Sequence, residues 1–422
     1  MVLQILNHKK KELLFFLILL LIIFYRSPHI LLYGRFVAEE GYKFFANSYK
    51  HGFIFSLFYI DFVSGYFNLW ANISGIISNL FSLTIAPLAS VYLSLILYLF
   101  IFYIVLFKNS YLIFKSNYKF IFCFLILLSP FNVPEIWLNS INSQIFLCII
   151  SFLIICEKNS QDNIEYSKLI ILFIAGFSGI YTCALLPIFF YKYFKFKCTQ
   201  DKYNFILIFI CTCVQGLIIY FAKTKNLLYE KKIHLVDLDL FINYLYNVPV
   251  KAFLGRNFSQ YIFLNSGLSI KVSAFLVFLF VSIITTYLIY YFLKNKSLFK
   301  KHEFVFFSLI YSFISISIVA MVGGVGDYVG GRYAALPSFF LISLALFIIM
   351  IAEKYQLKIL FSILIFTSII SGAYEFKNNN KYKKYLICIE CPNWKHEVEK
   401  YKKDNSYYLK IWPYPSKIMK LN

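Results

Sequence analysis

Carboxylates are scarce in this 422-residue chain, 20 in all, and those lying in polar breaks between apolar runs are the first candidates for chemistry. Glu39 and Glu40 stand side by side in the run Tyr33 to Gly41, YGRFVAEEG. Two adjacent carboxylates cannot both enter one small cavity without raising a pKa. One is therefore expected to face a pocket while its neighbour makes a structural contact. A pocket-facing carboxylate can act as general base toward an acceptor hydroxyl, with Glu40 preferred and Glu39 second; two solvated loop acids are the plainer alternative. Glu135 and Asn139 fall in a second break, which begins PFNVPE at Pro130. Asp327 and Arg332 fall in a third, the glycine-rich run from Gly323 to Tyr333. That run lacks the Walker spacing and a following Lys-Ser/Thr. It reads as a flexible turn anchored by Arg332, or as a clamp in which Arg332 and glycine N–H groups hold a phosphate. Arg256 and Arg35 are further candidate phosphate cations. No metal-ligand spacing is visible, so no cofactor is assigned and a divalent metal is left open.

The elements that position these residues are apolar throughout. Hydrophobic residues make up 60% of the chain and charged residues 14%, against about 45–50% and about 25% in soluble domains. A water-soluble enzyme, a disordered linker and a secreted disulfide scaffold are excluded. About 20 mostly apolar residues cross a bilayer as a helix. The candidate spans are 12–31, 87–107, 119–131, 144–156, 169–182, 184–194, 204–222, 272–293, 304–321, 334–352 and 358–374. The net charge of +21 tests the count. With the N-terminus cytoplasmic, eighteen lysines fall on inside segments, while the short outside loops carry only Arg332. Nucleic acid is not needed to explain the charge.

Eleven spans leave the tail outside. Residues 53–85 are apolar enough for another span, but a twelfth would invert every later loop. They are expected to be helices lying in the outer interface, within a first external loop of about 27–86. The division is a transmembrane domain 1–374, with a second large external loop 223–271 containing Glu230, Asp237 and Asp239, and a short basic tail 375–422. Lys9 to Lys11 before an apolar run suit a signal peptide, but no A-x-A cleavage site follows, so an uncleaved anchor is expected. The tail is too small to stand alone, and its Trp-Pro content favours packing on the outer loops. Cys388 and Cys391 form a C-x-x-C there, suited to a strained local disulfide more than to a redox motif.

The stretch Ala38-Glu39-Glu40-Gly41 resembles the A-E-D-G signature in the first external loop of a group of uncharacterised bacterial multi-span proteins, itself similar to the GT-C glycosyltransferases. Pro134-Glu135 with Asn139 and Asn142, Gly331-Arg332-Tyr333 opening a late span, and a tail with Trp394 and Trp412-Pro413 fit the same group. The resemblance implies an all-α, polytopic GT-C-like fold in the bacterial inner membrane. It also implies a catalytic carboxylate in the first loop, a polyprenyl-phosphate-linked sugar donor and a glycan or lipid acceptor. Glu40 stands where the signature has Asp, one methylene longer. The expected activity is hexosyl or pentosyl transfer, with Arg332, Arg256 and Arg35 offsetting charge on the leaving phosphate. A polymerase or a flippase for lipid-linked polysaccharide is the alternative. The first relies on arginines, of which there are four; the second favours charges deep in spans and internal repeats, which this chain lacks.

Overall fold

A computed structural model describes residues 2–159, 163–227, 238–265, 270–323, 330–378, 393–413 and 416–422. The fold is all-helical apart from two two-stranded ribbons among the described residues. Helix α1 (Val2–Arg26) leads to a short α2 (Pro28–Tyr33), a π-helical turn Glu40–Phe45 and α3 (Ala46–Leu57). The ribbon β1 (Ile60–Asp61) and β2 (Tyr66–Phe67) precedes α4 (Leu69–Asn79). Then come α5 (Ala86–Phe107), α6 (Ser116–Leu128), α7 (Ser143–Cys156), α8 (Tyr166–Gly176), α9 (Leu186–Phe196) and α10 (Thr199–Thr224). Helices α11 (Leu238–Leu245) and α12 (Lys251–Asn265) lie before the long run α13 (Ile270–Lys294), α14 (Lys296–Gly323), α15 (Arg332–Ile351) and α16 (Tyr355–Asn378). Helix α17 (Trp394–Lys403) and the ribbon β3 (Leu409–Lys410) with β4 (Ile418–Met419) close the chain.

Every expected span carries a helix, though 177–182 of the span 169–182 are not helical and the span 12–31 breaks at Ser27, and not all of the helices are long. Among the described residues five helices, α5, α10, α14, α15 and α16, are long and apolar enough to cross a membrane. Helices α6, α7, α8 and α9 have 13, 14, 11 and 11 residues. At 1.5 Å per residue they reach only about 16–21 Å, short of a hydrocarbon core of about 30 Å. Helix α15 is the centre of the bundle, with 89% of its most apolar stretch buried, against 22% for α10. The outer helices expose large apolar side chains such as Phe209, Ile210, Leu217 and Tyr220. A belt of that kind is stable against lipid and not against water: this is a helical membrane protein.

One end of the bundle is tied by ion pairs. Lys119 at the start of α6 meets Glu12 of α1 at 3.5 Å, and Lys108 at the end of α5 meets Glu165 before α8 at 3.1 Å. Lys168 of α8 holds Glu157 after α7 at 3.1 Å, and Lys192 of α9 holds Asp201 of α10 at 2.9 Å. Lys195 reaches Glu303 of α14 at 3.5 Å, and Lys115 donates to the Met350 carbonyl at the end of α15. Helices α5 to α10, α14 and α15 therefore have alternate ends at this side, and the first loop, the 129–142 turn, the start of α15 and the segment from Asn393 gather at the opposite end.

Residues 53–85 form no single long helix. Helix α3 exposes Phe53, Ile54 and Phe55, as a segment facing an interface would. Helix α4 departs from that expectation, because it is wedged against the π-turn, α3 and α5 and buries Trp70, Ala71, Ser74 and Ser78. A side chain at Gly75 would lie 2.7 Å from the Phe44 carbonyl, so only glycine permits that approach. Asn68 caps α4 through Ala71 N–H, and Asn72 donates to the carbonyls of Leu57 and Tyr59.

Candidate functional site

The two adjacent glutamates point in different directions. Ala38 sits at φ +43°, a left-handed conformation uncommon for any residue but glycine. The turn it makes sends Glu40 inward and Glu39 sideways. Glu40 is 3% exposed and saturated. Its Oε2 accepts from Val37 N–H at 2.9 Å, and its Oε1 accepts from Ser140 N–H at 2.9 Å, from the Ser140 hydroxyl at 2.7 Å and from the Ser90 hydroxyl. Burial pushes this carboxyl above the usual carboxylate range against the pull of those four donors. Glu40, the preferred candidate base, lines neither cavity described below, and its carboxylate is engaged by these donors.

Glu39 lines a small cavity of about 50 Å³ with Asp61, Ser64, Tyr66, Asn68 and Arg332. Its Oε1 accepts from the Tyr42 hydroxyl at 3.1 Å. Asp61, at the ribbon, is held by Lys43 Nζ and the Ser64 hydroxyl, each at 2.5 Å. Burial, then the Glu39 charge and hydrogen bond, push the Tyr42 phenol upward, so it stays a donor to Glu39.

Arg332 opens α15 and forms one wall of this cavity. Its Nε lies 3.6 Å from Glu135 Oε1, its backbone N–H donates to Glu135 Oε2 at 3.2 Å, and a guanidinium N–H donates to the Tyr333 hydroxyl. Glu135 thus caps the start of α15, where a negative charge is favoured. Gly331 sits at φ +55°, a backbone conformation that favours glycine, and a Cβ there would also meet Glu135 Oε2.

On the other side of Glu135 lies a larger cavity of about 390 Å³, between the 130–135 turn, α12, the start of α15 and the end of α16. Its charged lining is Glu135, Lys251, Arg256 and Glu375, with the amides of Asn243, Asn247 and Gln260 beside them. Helix α12 breaks at Gly255 (φ +72°), and Glu375 caps the second half by accepting from the N–H groups of Arg256 and, at 2.9 Å, Asn257. Lys251 donates to Asn247 and lies 4.5 Å from the Tyr246 ring.

Glu39, Arg332, Glu135 and Arg256 are therefore brought to two adjoining cavities. Asn139 is not: it is 2% exposed, donates to the Glu135 carbonyl at 2.8 Å and accepts from Asn142 N–H, shaping the turn. Arg35 lines neither cavity; it lies 5.9 Å from the Trp394 ring against the tail, and burial, opposed by Glu397, pulls it down to about 10. Asp327, Glu230, Asp237, Cys388 and Cys391 lie outside the described residues. Among the described residues no three His, Cys, Asp or Glu side chains gather as a metal site would.

Lys251, Asn243, Asn247, Gln260 and Glu375 were not selected from sequence. Glu375 carried a signal, being the lone carboxylate between Lys358 and Asn378, since an acid in a spanning helix is costly. The amides gave none. In comparisons with protein-family models, curated proteins and solved structures, nothing matches this chain.

Proposed function

We propose that this chain is a membrane glycosyltransferase that moves a sugar from a polyprenyl-phosphate-linked donor to a glycan or lipid acceptor at the outer face of the membrane. One observation carries the reading. The Glu135–Arg332 pair separates a carboxylate-lined cavity (Glu39, Asp61) from a larger one lined by cations and amides (Lys251, Arg256, Asn243, Asn247, Gln260). Sugar transfer from a lipid phosphate needs both kinds of surface side by side.

Glu39 takes the proton of an acceptor hydroxyl, and the freed oxygen attacks the anomeric carbon. The bond from that carbon to the phosphate oxygen breaks, and its electron pair leaves with polyprenyl phosphate. Arg332, with Lys251 and Arg256 across the dividing wall, offsets the charge that grows on the phosphate. The amides of the larger cavity suit sugar hydroxyls, which need donors and acceptors together. Arg35 and Asn139 have no part in this scheme, and Glu40 holds the loop.

The topology belongs to the same proposal. Eleven helices, α1, α5 to α10 and α13 to α16, alternate across the membrane with the lysine-bearing end cytoplasmic and the tail outside. The short helices α6 to α9 enter from the inner side and stop within the bundle, leaving the 129–142 turn free to meet the first loop.

The test uses the purified protein in liposomes holding a polyprenyl-phosphate sugar. Glu39→Gln should leave the protein folded and inserted while release of polyprenyl phosphate falls at least a hundredfold. Undiminished release in Glu39→Gln refutes the assignment of the base, and donor lipid crossing the bilayer with no phosphate released refutes the enzyme in favour of a flippase. Reporters fused after Lys119 and Asn378 should lie on opposite sides of the membrane; the same side refutes the eleven-helix count.

A further inference from the structure

The tail builds a second hydrophobic core, separate from that of the bundle. Trp394, Val398, Ile411 and Met419 are buried in it together with Phe36 and Phe45 from either side of the glutamate pair. Backbone hydrogen bonds join the two segments. Trp412 N–H donates to the Phe36 carbonyl at 3.2 Å, and Ala38 N–H donates to the Trp412 carbonyl at 2.7 Å. Trp394 Nε1–H donates to the Leu83 carbonyl at 3.1 Å, and Lys50 Nζ donates to the Asn422 carbonyl at 2.5 Å. A Cβ at Gly41 would lie 2.9 Å from Phe36 Cβ and 3.0 Å from Ile411 Cδ1, so tail and loop close on the residue just after the pair. Within the tail, fully buried Glu397 accepts from the Tyr407 hydroxyl at 2.8 Å and from Lys410 N–H at 3.1 Å, fixing α17 to β3.

The residue gripped by Trp412 is Ala38, the one in the left-handed conformation. A side-chain-bearing residue stays there only where its surroundings hold it. On one side Glu40 holds the turn through Val37 N–H; on the other the Trp412 carbonyl holds Ala38 N–H. With both in place, Glu40 enters its serine socket and Glu39 faces Asp61 and Arg332. Without the second, the turn is free to relax to a right-handed conformation, which rotates both carboxylates away.

We propose that the C-terminal segment from Asn393 is a positioning element of the site, acting through the Trp412 backbone to hold Ala38 in its turn and so to aim Glu39 into the cavity. The inference rests on reading Glu39 as the base for its kinetic consequence, but the grip on the loop is measurable without any turnover. The cavity that holds Lys251 and Arg256 shares no residue with the segment from Asn393. Loss of the grip should therefore lower kcat and leave donor binding alone.

The test uses the full-length chain in liposomes, with Ile411→Asp and Trp394→Phe as variants and Lys402→Gln, on the exposed face of α17, as control. Trypsin cleavage after Lys43 and Lys50, followed by mass spectrometry, reads the grip. Transfer from a polyprenyl-phosphate sugar reads kcat and KM. Ile411→Asp should speed cleavage at least tenfold and lower kcat at least tenfold, with the donor KM within twofold of the parent. Ile411→Val should restore both. Trp394→Phe, which keeps an aromatic six-membered ring but loses the pyrrole ring and its N–H donor, should move both readouts two- to fivefold in the same directions, and it decides the matter if Ile411→Asp does not insert. Faster cleavage with unchanged kcat, a matching rise in KM, or cleavage unaltered in both variants overturns the proposal. If the parent protein transfers no sugar, the role of Glu39 falls with the proposed function, while the cleavage rates still decide whether the tail holds the loop.

Discussion

The division of labour between Glu39 and Glu40 makes a sharp stability prediction. Replacing Glu40 by Ala removes the acceptor of two backbone donors, buried Ser140 N–H and half-buried Val37 N–H, each at 2.9 Å. The hydroxyls of Ser90 and Ser140 lose it too, but hydroxyls rotate, and Ser90 already has Ser74 as a neighbour at 2.9 Å. An abandoned buried donor costs about 1–3 kcal/mol, so the two amides together cost about 2–6 kcal/mol. Relief from burying a carboxylate offsets part of this. The expected net loss is about 2–4 kcal/mol, a large share of the roughly 5–15 kcal/mol that holds a typical fold together. Glu39→Ala, by contrast, removes one 3.1 Å bond from Tyr42 at a half-buried site and should cost under about 1 kcal/mol. Thermal unfolding in detergent can be followed by a thiol-reactive dye. Cys123, Cys148 and Cys156 are buried and report unfolding, while exposed Cys213 sets the baseline. Glu40→Ala should melt well below both the parent and Glu39→Ala. Equal midpoints for the two variants, or a larger drop for Glu39→Ala, would refute the assignment of the structural role to Glu40.

The same carboxyl gives a pH dependence. Because burial raises its folded-state pKa above the unfolded one, the folded protein holds the proton more tightly. Its contribution is full at low pH and declines as pH rises through the folded value; melts from about pH 4 to pH 7 should fall more steeply for the parent than for Glu40→Gln. At the lysine-bearing end, Lys192 and Asp201 are each 2% exposed and 2.9 Å apart. Lys192→Met alone should cost about 3–5 kcal/mol by leaving a buried charge, and Lys192→Met with Asp201→Leu should recover most of it, as a double-mutant cycle on the same melt would show. Gly372 packs α16 directly on the Leu128 carbonyl at the end of α6, so Gly372→Ala should sharply lower the yield of folded protein, while Gly216→Ala, in open space on α10, should not.

The fold class was legible because lipid imposes a composition. Apolar runs, with lysines between alternate pairs, leave few other architectures, and each expected run carries a helix. The four short helices were already short as apolar runs, but hydropathy, which measures apolar content, does not say where inside the bundle each one stops. Helix α6 ends at Ser129 and the chain then turns inside the bundle to reach Glu40, a destination that depends on packing. Nor does hydropathy place α4: its amphipathic pattern is compatible with a lipid face or a protein face, and the glycine contact at Gly75 selects the protein.

The site divides along the same line. Residue type and position relative to the apolar runs were enough to single out Glu39, Glu40, Glu135, Arg256 and Arg332, since charged groups at span ends are few and costly to place. Which glutamate is buried could not be read there, because the choice depends on Ser90, Ser140 and Trp412, which lie 50, 100 and 372 residues beyond Glu40. Sequence alone determines what chemistry a side chain carries and which solvent its neighbourhood must meet. Tertiary structure decides which of two like groups is satisfied and which is left to react, because hydrogen-bond donors and backbone contacts act over a few ångströms of space and take no account of distance along the chain.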